Sequence, residues 1–586
     1  MDMNRLSSLK YVFLPMLLSM VVLAEMGTLQ TASRATTPVR APSTKAVSNR
    51  VLSFQHLRNL DCRGAILKIT PTVIRDSQKD LKNPGQAKLL AFDLQYVAKA
   101  LSLDENEFAA AQVMRIANTL APDNLAYQAF LAENLSRAGR VAEARKIFDN
   151  IGLDKTVGPD VVVYVAQFAL RSANSARARA IVEQYASNAR CKSDPHYLSV
   201  RARIWLKSGF AKQGASFFRD AIAKESSEYC KNLWLVVVNT LDNNGEAARD
   251  AVLAAGKILP RDPLWLCDAS SAFVPVDRQK SLNYLKQSLQ CERLCSRAFY
   301  SYADSLKREH NYAAALNCLE YLEKLRPYSA EVCFAKARVL RAQAEFSKAR
   351  ELIRKGIALN PGAASAYIEM ASIFSEEGKP EDARAILHEG TQLFPYFSRV
   401  WQKEGDLLAE LGKLDLAEKS YRQALSVAPQ PVLELNDVTK NDIARVHASL
   451  AWIAYKAGQR PQAIQEATLF NELKLVPQLP AIFKMINIRP SHFKDVPELK
   501  KEVEIRQEVL LADALYDCRD LDDAIAEYKK AVALNPDDSD LRSYMLNLLT
   551  EKGDWSSAAS EDLSLTTNIV RKIPENIGNF FGKKNQ

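Results

Sequence analysis

Between residues 91 and 572, apolar positions recur at helical spacing in short runs, and a glycine or proline breaks them at intervals. The stretch Trp401–Pro429 shows the plan. One amphipathic run ends at Gly412, a second comes after it, and Pro429 closes it. Proline lacks an amide hydrogen and clashes inside a helix, so it stops the second run. The chain from Tyr367 to Pro395 repeats this plan 34 residues earlier. With position 1 placed at Ser398, 34-residue units start at Ser296, Ala330, Ala364 and Ser398 without insertion. Position 32 is then Pro327, Pro361, Pro395 and Pro429. Position 20 is Ala315, Ala349, Ala383 and Ala417, and position 8 is Ala303, Ala337, Ala371 and Gly405. Further starts fall at Ala91, Leu125, Pro159, Pro195, Glu228 and Asp262 upstream, and at Ala444, Ile505 and Ser539 downstream.

Each unit reads as helix A, a break, and helix B. Positions 8 and 20 are where the two helices come closest, and a small side chain there lets the backbones approach. Position 20 departs from Ala only at Gly214 and Ser281, and position 8 departs from Ala or Gly only at Leu235 and Leu546. Larger groups such as Trp401, Leu408 and Tyr421 form a stripe that one hairpin cannot bury alone, so the hairpins must stack. The expected fold is an all-α superhelical solenoid of tandem helix-turn-helix repeats. The motif Trp401-x2-Glu404-Gly405-x2-Leu408, followed by Ala417, Tyr421 and Pro429, resembles the tetratricopeptide repeat family, with Glu404 where that family usually has Leu. The unit at Ala330 places Cys333 in the Trp slot, and the Ile505 unit supplies Leu511, Ala512, Ala524, Tyr528, Ala531 and Pro536.

The repeats divide the chain. Residues 1–30 carry Arg5 and Lys10 before an uncharged run, Tyr11–Ala24, the layout of a signal peptide or a short signal-anchor. Residues 31–50 are rich in Thr, Ser, Pro and Ala and read as a flexible tether; 51–90 fall outside the register and suit an N-terminal cap. The solenoid then runs over 91–431, an insert over 432–443, one unit over 444–477, a Pro-containing insert over 478–504, two units over 505–572, and a tail over 573–586. The Pro-containing insert is expected not to be one long helix and to fold as a short hairpin or surface loop. The leader implies export to the cell envelope or secretory pathway, or a membrane anchor if it stays uncleaved. A cytoplasmic location is the alternative.

Composition narrows the function. The net charge is +9, of which residues 1–50 supply +4 from six Lys/Arg and two Asp/Glu. The remainder is too dilute for a nucleic-acid footprint. The six histidines are scattered, and no zincin, phosphate-loop or nucleophile-elbow motif occurs. Nine cysteines sit mostly in helical slots and read as core filler, with Cys291 and Cys295 as a C-x3-C pair that is a packing pair or a disulfide or redox pair. No stretch outside the repeats is long enough for an ordinary catalytic domain. No enzyme activity, cofactor or metal is therefore expected.

The family resemblance implies a concave surface of A helices that takes partner peptides or helices. It would place Tyr300 and Phe334, both at position 5, toward that surface. Arg338 and Arg341 share a face by i, i+3, and Arg399 and Lys403 share one by i, i+4. Aromatic rings beside basic groups suit a partner with acidic and apolar residues; the alternative, favoured by Glu331, Glu369 and Asp406 nearby, is an ordinary solvated charged face. The carboxylate clamp of soluble chaperone cofactors of this family is missing, because its slots hold Phe334, Arg338 and Glu369. The reading is a protein-interaction scaffold. Its alternatives are such a cofactor, or an enzyme with residues spread over the repeats.

Overall fold

The computed structural model describes residues 62–77, 83–154, 157–291, 293–474, 497–536 and 538–561. The expected leader, the tether, the tail and the first part of the second insert lie outside these residues. Among the described residues every regular element is helical, and the protein is an all-α solenoid. The chain falls into two compact units, Met1–Ile386 and Leu387–Gln586.

Helices begin at Leu125, Pro159, Pro195, Glu228, Ser296, Ala330, Ala364, Ser398 and Ser539, where the 34-residue register places them, and at Pro263, one residue late. Three A helices, Pro84–Leu103, Asp437–Lys456 and Pro497–Asp517, begin about two turns before the expected starts at Ala91, Ala444 and Ile505. The first is capped by Asn83, whose side chain accepts from the Gly85 amide, with Pro84 in the first turn. Asn436 accepts from the Thr439 amide and starts the second. The expected 432–443 insert therefore shrinks to a 3₁₀ turn, Val432–Glu434, and residues 497–504 are helix. The cap expected within 51–90 is a helix, Cys62–Ser77, which packs on Pro84–Leu103 through Cys62, Ala65, Ile69 and Val73.

The small positions answer the packing argument. Ala144, Ala315, Ala349 and Ala417 at position 20 are fully buried, and Ala132, Ala166 and Ala303 at position 8 nearly so. A Cβ on Gly405 would sit 2.7 Å from the Tyr421 ring, so at that crossing glycine is what lets the ring lie flat on helix A. In the degenerate Glu228 unit the core residue is Ala248 rather than Ala247, so its register runs one residue late.

A second period appears in the backbone. The residue at position 15, between helices A and B, is left-handed in twelve units: Glu105, Gly139, Ala173, Gly209, Asn243, His310, Ala344, Gly378, Gly412, Gly458, Arg519 and Gly553. Asn243 again shows the one-residue shift. The thirteenth unit, Pro263–Leu289, has no such residue.

Within the first unit the chain returns to its own beginning. The Leu294 amide donates to Asp104 Oδ1 at 3.1 Å, and the Ser296 amide donates to Glu105 Oε2 at 2.9 Å, across about 190 residues of sequence. Arg326 Nη2 lies 2.8 Å from Glu107 Oε2, and the Phe108 and Tyr328 rings are 5.9 Å apart. These contacts form a clasp between the hairpins near residue 105 and those near residue 300.

Candidate functional site

Two places on the first unit gather polar side chains. One is the face of successive A helices. Arg338 Nη1 reaches Glu369 Oε1 on the next A helix at 3.1 Å, and Arg341 Nε reaches Glu376 Oε2 at 2.9 Å. The hydrogen bonds of this pair hold the Glu376 carboxyl below its ordinary range and the Arg341 guanidinium above its own. Arg338 and Glu376 are nearly half exposed. The expected basic pair therefore stands as a ladder of ion pairs between repeats, not as free cations.

The other place is a cavity of about 220 Å³ beside the clasp. It is lined by Glu107, Arg137, Phe168, Arg171, Tyr300 and Arg326, among others. Each guanidinium has a resident carboxylate: Arg137 and Arg326 share Glu107, and Arg171 pairs with Glu133. Tyr300 lies in this wall, its hydroxyl 3.5 Å from Ser329 Oγ, and burial pushes its phenol up to about 12. Phe334 corrects the sequence expectation. It is only 8% exposed, and its ring covers Gly356, where an added Cβ would run into it. The side chain fills its own hairpin because Gly356 leaves room there, and it does not join Tyr300 on a common face.

In the second unit Arg399 and Lys403 are well exposed on the helix Ser398–Glu410. Lys403 Nζ lies 2.7 Å from Asp406 Oδ2, and Arg399 approaches Asp442 at 3.9 Å. Tyr421 donates to the other oxygen of Asp406 at 2.9 Å, which ties Lys403 to the hairpin core. One buried charge cluster in this unit was not expected. Glu527 is fully buried, accepts from Arg460, Tyr455 and Lys530, and sits beside Glu508. Burial works against its charge, but the hydrogen bond from the Glu508 carboxyl, followed by those from Arg460, Lys530 and Tyr455, outweighs burial and holds the Glu527 carboxyl well below its ordinary range. It joins neighbouring hairpins as a satisfied structural ion.

The cysteines also rearrange. Cys295, expected to stand with Cys291, has Cys267 as its near neighbour, with the sulfurs 3.5 Å apart and both buried. Cys291 instead lies against the Tyr229–Trp265 cluster.

Comparison with known proteins finds a repeat family in part of the chain. Profiles of the tetratricopeptide repeat match residues 398–431, and also 300–364, 334–396 and 509–566. The chain carries tetratricopeptide repeats. A human relative, Protein O-mannosyl-transferase TMTC1, is 34% identical over 140 residues, which is 23% of this chain and 14% of that protein. The chain thus spans about one seventh of that relative's length. Among solved structures, yeast Tom70 gives a TM-score of 0.38 at 14% identity, covering 84% of this chain and 99% of that one. The Cut9–Hcn1 hetero-tetramer of the APC/C gives 0.34 at 14% identity, covering 90% and 94%.

Glu404, the departure from the tetratricopeptide pattern, is explained by its neighbours. It is 5% exposed, accepts from Ser420 Oγ at 2.9 Å, and lies 3.1 Å from His388 Nδ1. A polar pair replaces the usual apolar contact and is satisfied there. The clasp carried no sequence signal, because contacts 190–221 residues apart leave no period. The Asn83-Pro84 start was readable as a cap followed by an N1 proline.

Proposed function

We propose that this protein is a non-catalytic scaffold that holds partner peptides or helices on the A-helix faces of its tetratricopeptide repeats, at the cell envelope or in the secretory pathway. The observation that carries the reading is the ladder from Arg338 to Glu369 and Arg341 to Glu376. It presents partly exposed guanidinium groups at the repeat spacing, each already oriented by a carboxylate. Exposed ion pairs contribute about 0–1 kcal/mol, so a partner's acidic side chain can exchange with Glu369 or Glu376 at little cost. Arg keeps its bidentate geometry through such an exchange. In the second unit Arg399 and Lys403 offer a separate basic pair of the same kind. The leader-like residues 1–30 support export. Among the described residues no helix is long and apolar enough to cross a membrane.

The experiment is capture from a membrane extract by the full chain, compared with Arg338→Glu/Arg341→Glu and, separately, Arg399→Glu/Lys403→Glu. Loss of the same partner in one double variant, with helicity kept, supports that face. Capture equal to the parent protein in both variants removes the assignment and leaves the solenoid standing. A second reading, catalysis of sugar transfer, draws on the 140-residue likeness to a mannosyl-transferase. Turnover of an activated mannose donor by the purified chain is its test.

A further inference from the structure

The buried pair Cys267 and Cys295 stands at a junction. Cys267 lies in the helix Pro263–Phe273, and Cys295 is the residue before the helix Ser296–Arg308. Their sulfurs are 3.5 Å apart, and a disulfide needs about 2.05 Å, so closure asks for roughly 1.5 Å of side-chain movement. Ser288 Oγ is 3.4 Å from the Cys267 sulfur. Leu264, Leu289 and Ala298 enclose both groups.

The residues flanking Cys295 give the pair its meaning. Arg293 reaches back to Asp262 at 2.5 Å and to the Leu103 carbonyl oxygen at 3.4 Å. The Leu294 amide donates to Asp104, and the Ser296 amide and hydroxyl donate to Glu105. Residues 293–296 are thus one jaw of the clasp, and Cys295 is in the middle of it. The other sulfur is anchored in the preceding A helix. We infer that Cys267 and Cys295 form a disulfide under oxidising conditions, and that this bond staples the clasp closed in the first unit.

The chemistry is thiol–disulfide exchange with a small-molecule disulfide such as oxidised glutathione. The Cys267 thiolate attacks one sulfur of that disulfide, a mixed disulfide forms, and one glutathione thiolate leaves and takes up a proton. The Cys295 thiol then gives up its proton and attacks the Cys267 sulfur, and the second glutathione leaves as a thiolate that takes up that proton. Two protein thiols are oxidised and one external disulfide is reduced. Cys267 is the sulfur suited to begin. The hydrogen bond from Cys295 outweighs burial and, with the Arg297 charge and Ser288, holds its thiol below the ordinary range. Cys291 is unsuited, since burial pushes it up to about 11. The enclosure of both sulfurs means that exchange proceeds when residues 293–296 open, and the bond then fixes them.

The test uses the full chain, folded and reduced, then treated with oxidised glutathione, quenched in acid, alkylated and digested without reductant. Mass spectrometry is expected to show a Cys267–Cys295 linked peptide and the loss of alkylation at both residues. Cys291→Ser should keep the link, and Cys267→Ala should abolish it with helicity retained. If the native protein resists the reagent, refolding in the presence of oxidised glutathione provides a second arm, and the same linked peptide there supports the pairing. A Cys291–Cys295 link, or two free sulfurs at 267 and 295 in both arms, overturns the proposal. Amide exchange at residues 103–107 should be slower in the oxidised form than in the reduced form. Equal exchange in the two forms overturns the stapling of the clasp.

Discussion

Two hairpins of similar length solve the same packing problem differently. In Ser398–Ser426 the crossing is made by Gly405 and Ala417, with Tyr421 laid over the glycine and a left-handed Gly412 between the helices. In Pro263–Leu289 the crossing has Ala269 and Ser281, and the Ser281 hydroxyl lies 2.9 Å from that of Ser270. No left-handed residue joins its helices. The first hairpin is held by its own small residues and its neighbours' stripe. The second leans on long-range polar contacts: Asp262 just ahead of it accepts from Tyr229 Oη at 2.6 Å and from Arg293, and the connection after it grips Asp104 and Glu105. Where the repeat pattern weakens, contacts that the pattern does not encode take over.

The largest effect expected is on the contact that the degenerate hairpin depends on. Arg293→Met leaves Asp262, 7% exposed, with Tyr229 as its remaining side-chain partner. Removing one member of a buried ion pair costs about 3–5 kcal/mol. Thermal denaturation should show the first unit melting earlier, with amide exchange faster at 103–107. An unchanged midpoint would mean that the hairpin stands without the clasp. Gly405→Leu sharpens the other side. It drives a side chain into the Tyr421 ring, and overpacking of a tight site costs typically about 1–3 kcal/mol. The loss should be confined to the second unit. A chemical denaturation curve that matches the parent protein would contradict the crossing described for Gly405.

How far the sequence could reveal these two hairpins differs for physical reasons. Small residues at positions 8 and 20 must recur wherever two helices cross, so Ala417 and Ala315 announce themselves by period alone. Cap signals mark ends, but three A helices extend about two turns beyond the register, because Asn83 and Asn436 cap two of them earlier than the repeat would. Phe334 looked like its positional equivalent Tyr300, yet Gly356 beneath it makes it a core residue. The clasp and the Cys267–Cys295 pair join parts of the chain by tertiary route, and spacing along the chain points instead to Cys291. The basic residues Arg338, Arg341 and Lys403 were legible as exposed charges with Glu369 and Asp406 nearby, and those two carboxylates pair with Arg338 and Lys403, but the pairing of Arg341 with Glu376 on the next A helix was not legible.

The turn between the helices allows a finer comparison. Ala344 adopts φ of 60° at the position where Gly412 adopts 70°. A side chain in the left-handed region costs roughly 1–2 kcal/mol, whereas glycine occupies it freely but loses more entropy on folding. Ala344→Gly should therefore stabilise the first unit by up to about 1 kcal/mol, and Gly412→Ala should destabilise the second by a similar amount. Val276 occupies the same slot in the hairpin that turns without a left-handed residue, so Val276→Gly should bring no gain. A gain there, measured as a raised melting midpoint, would show that the Pro263–Leu289 turn samples the common conformation.

The smallest effect is expected on the ladder, and its smallness is the point. Arg341 and Glu376 are partly exposed, and their interaction is screened by water. Arg341→Ala should change stability by no more than about 1 kcal/mol. The hydrogen bonds and charge of Arg341 hold the Glu376 carboxyl below its ordinary range, against its partial burial. The pair's stabilisation is therefore present above the unfolded carboxylate pKa and is lost as pH falls through the lower folded value. The Arg341→Ala variant and the parent protein should then differ slightly at pH 7 and converge in acid. Titration of the Glu376 carboxyl by carbon NMR reads the same coupling directly, and in the variant its midpoint should move up. A midpoint that stays in place would show the ladder to be a chance alignment of exposed side chains. A midpoint that moves, with stability nearly unchanged, would show a guanidinium held in position at almost no cost to the fold, as an exchangeable contact for a partner requires.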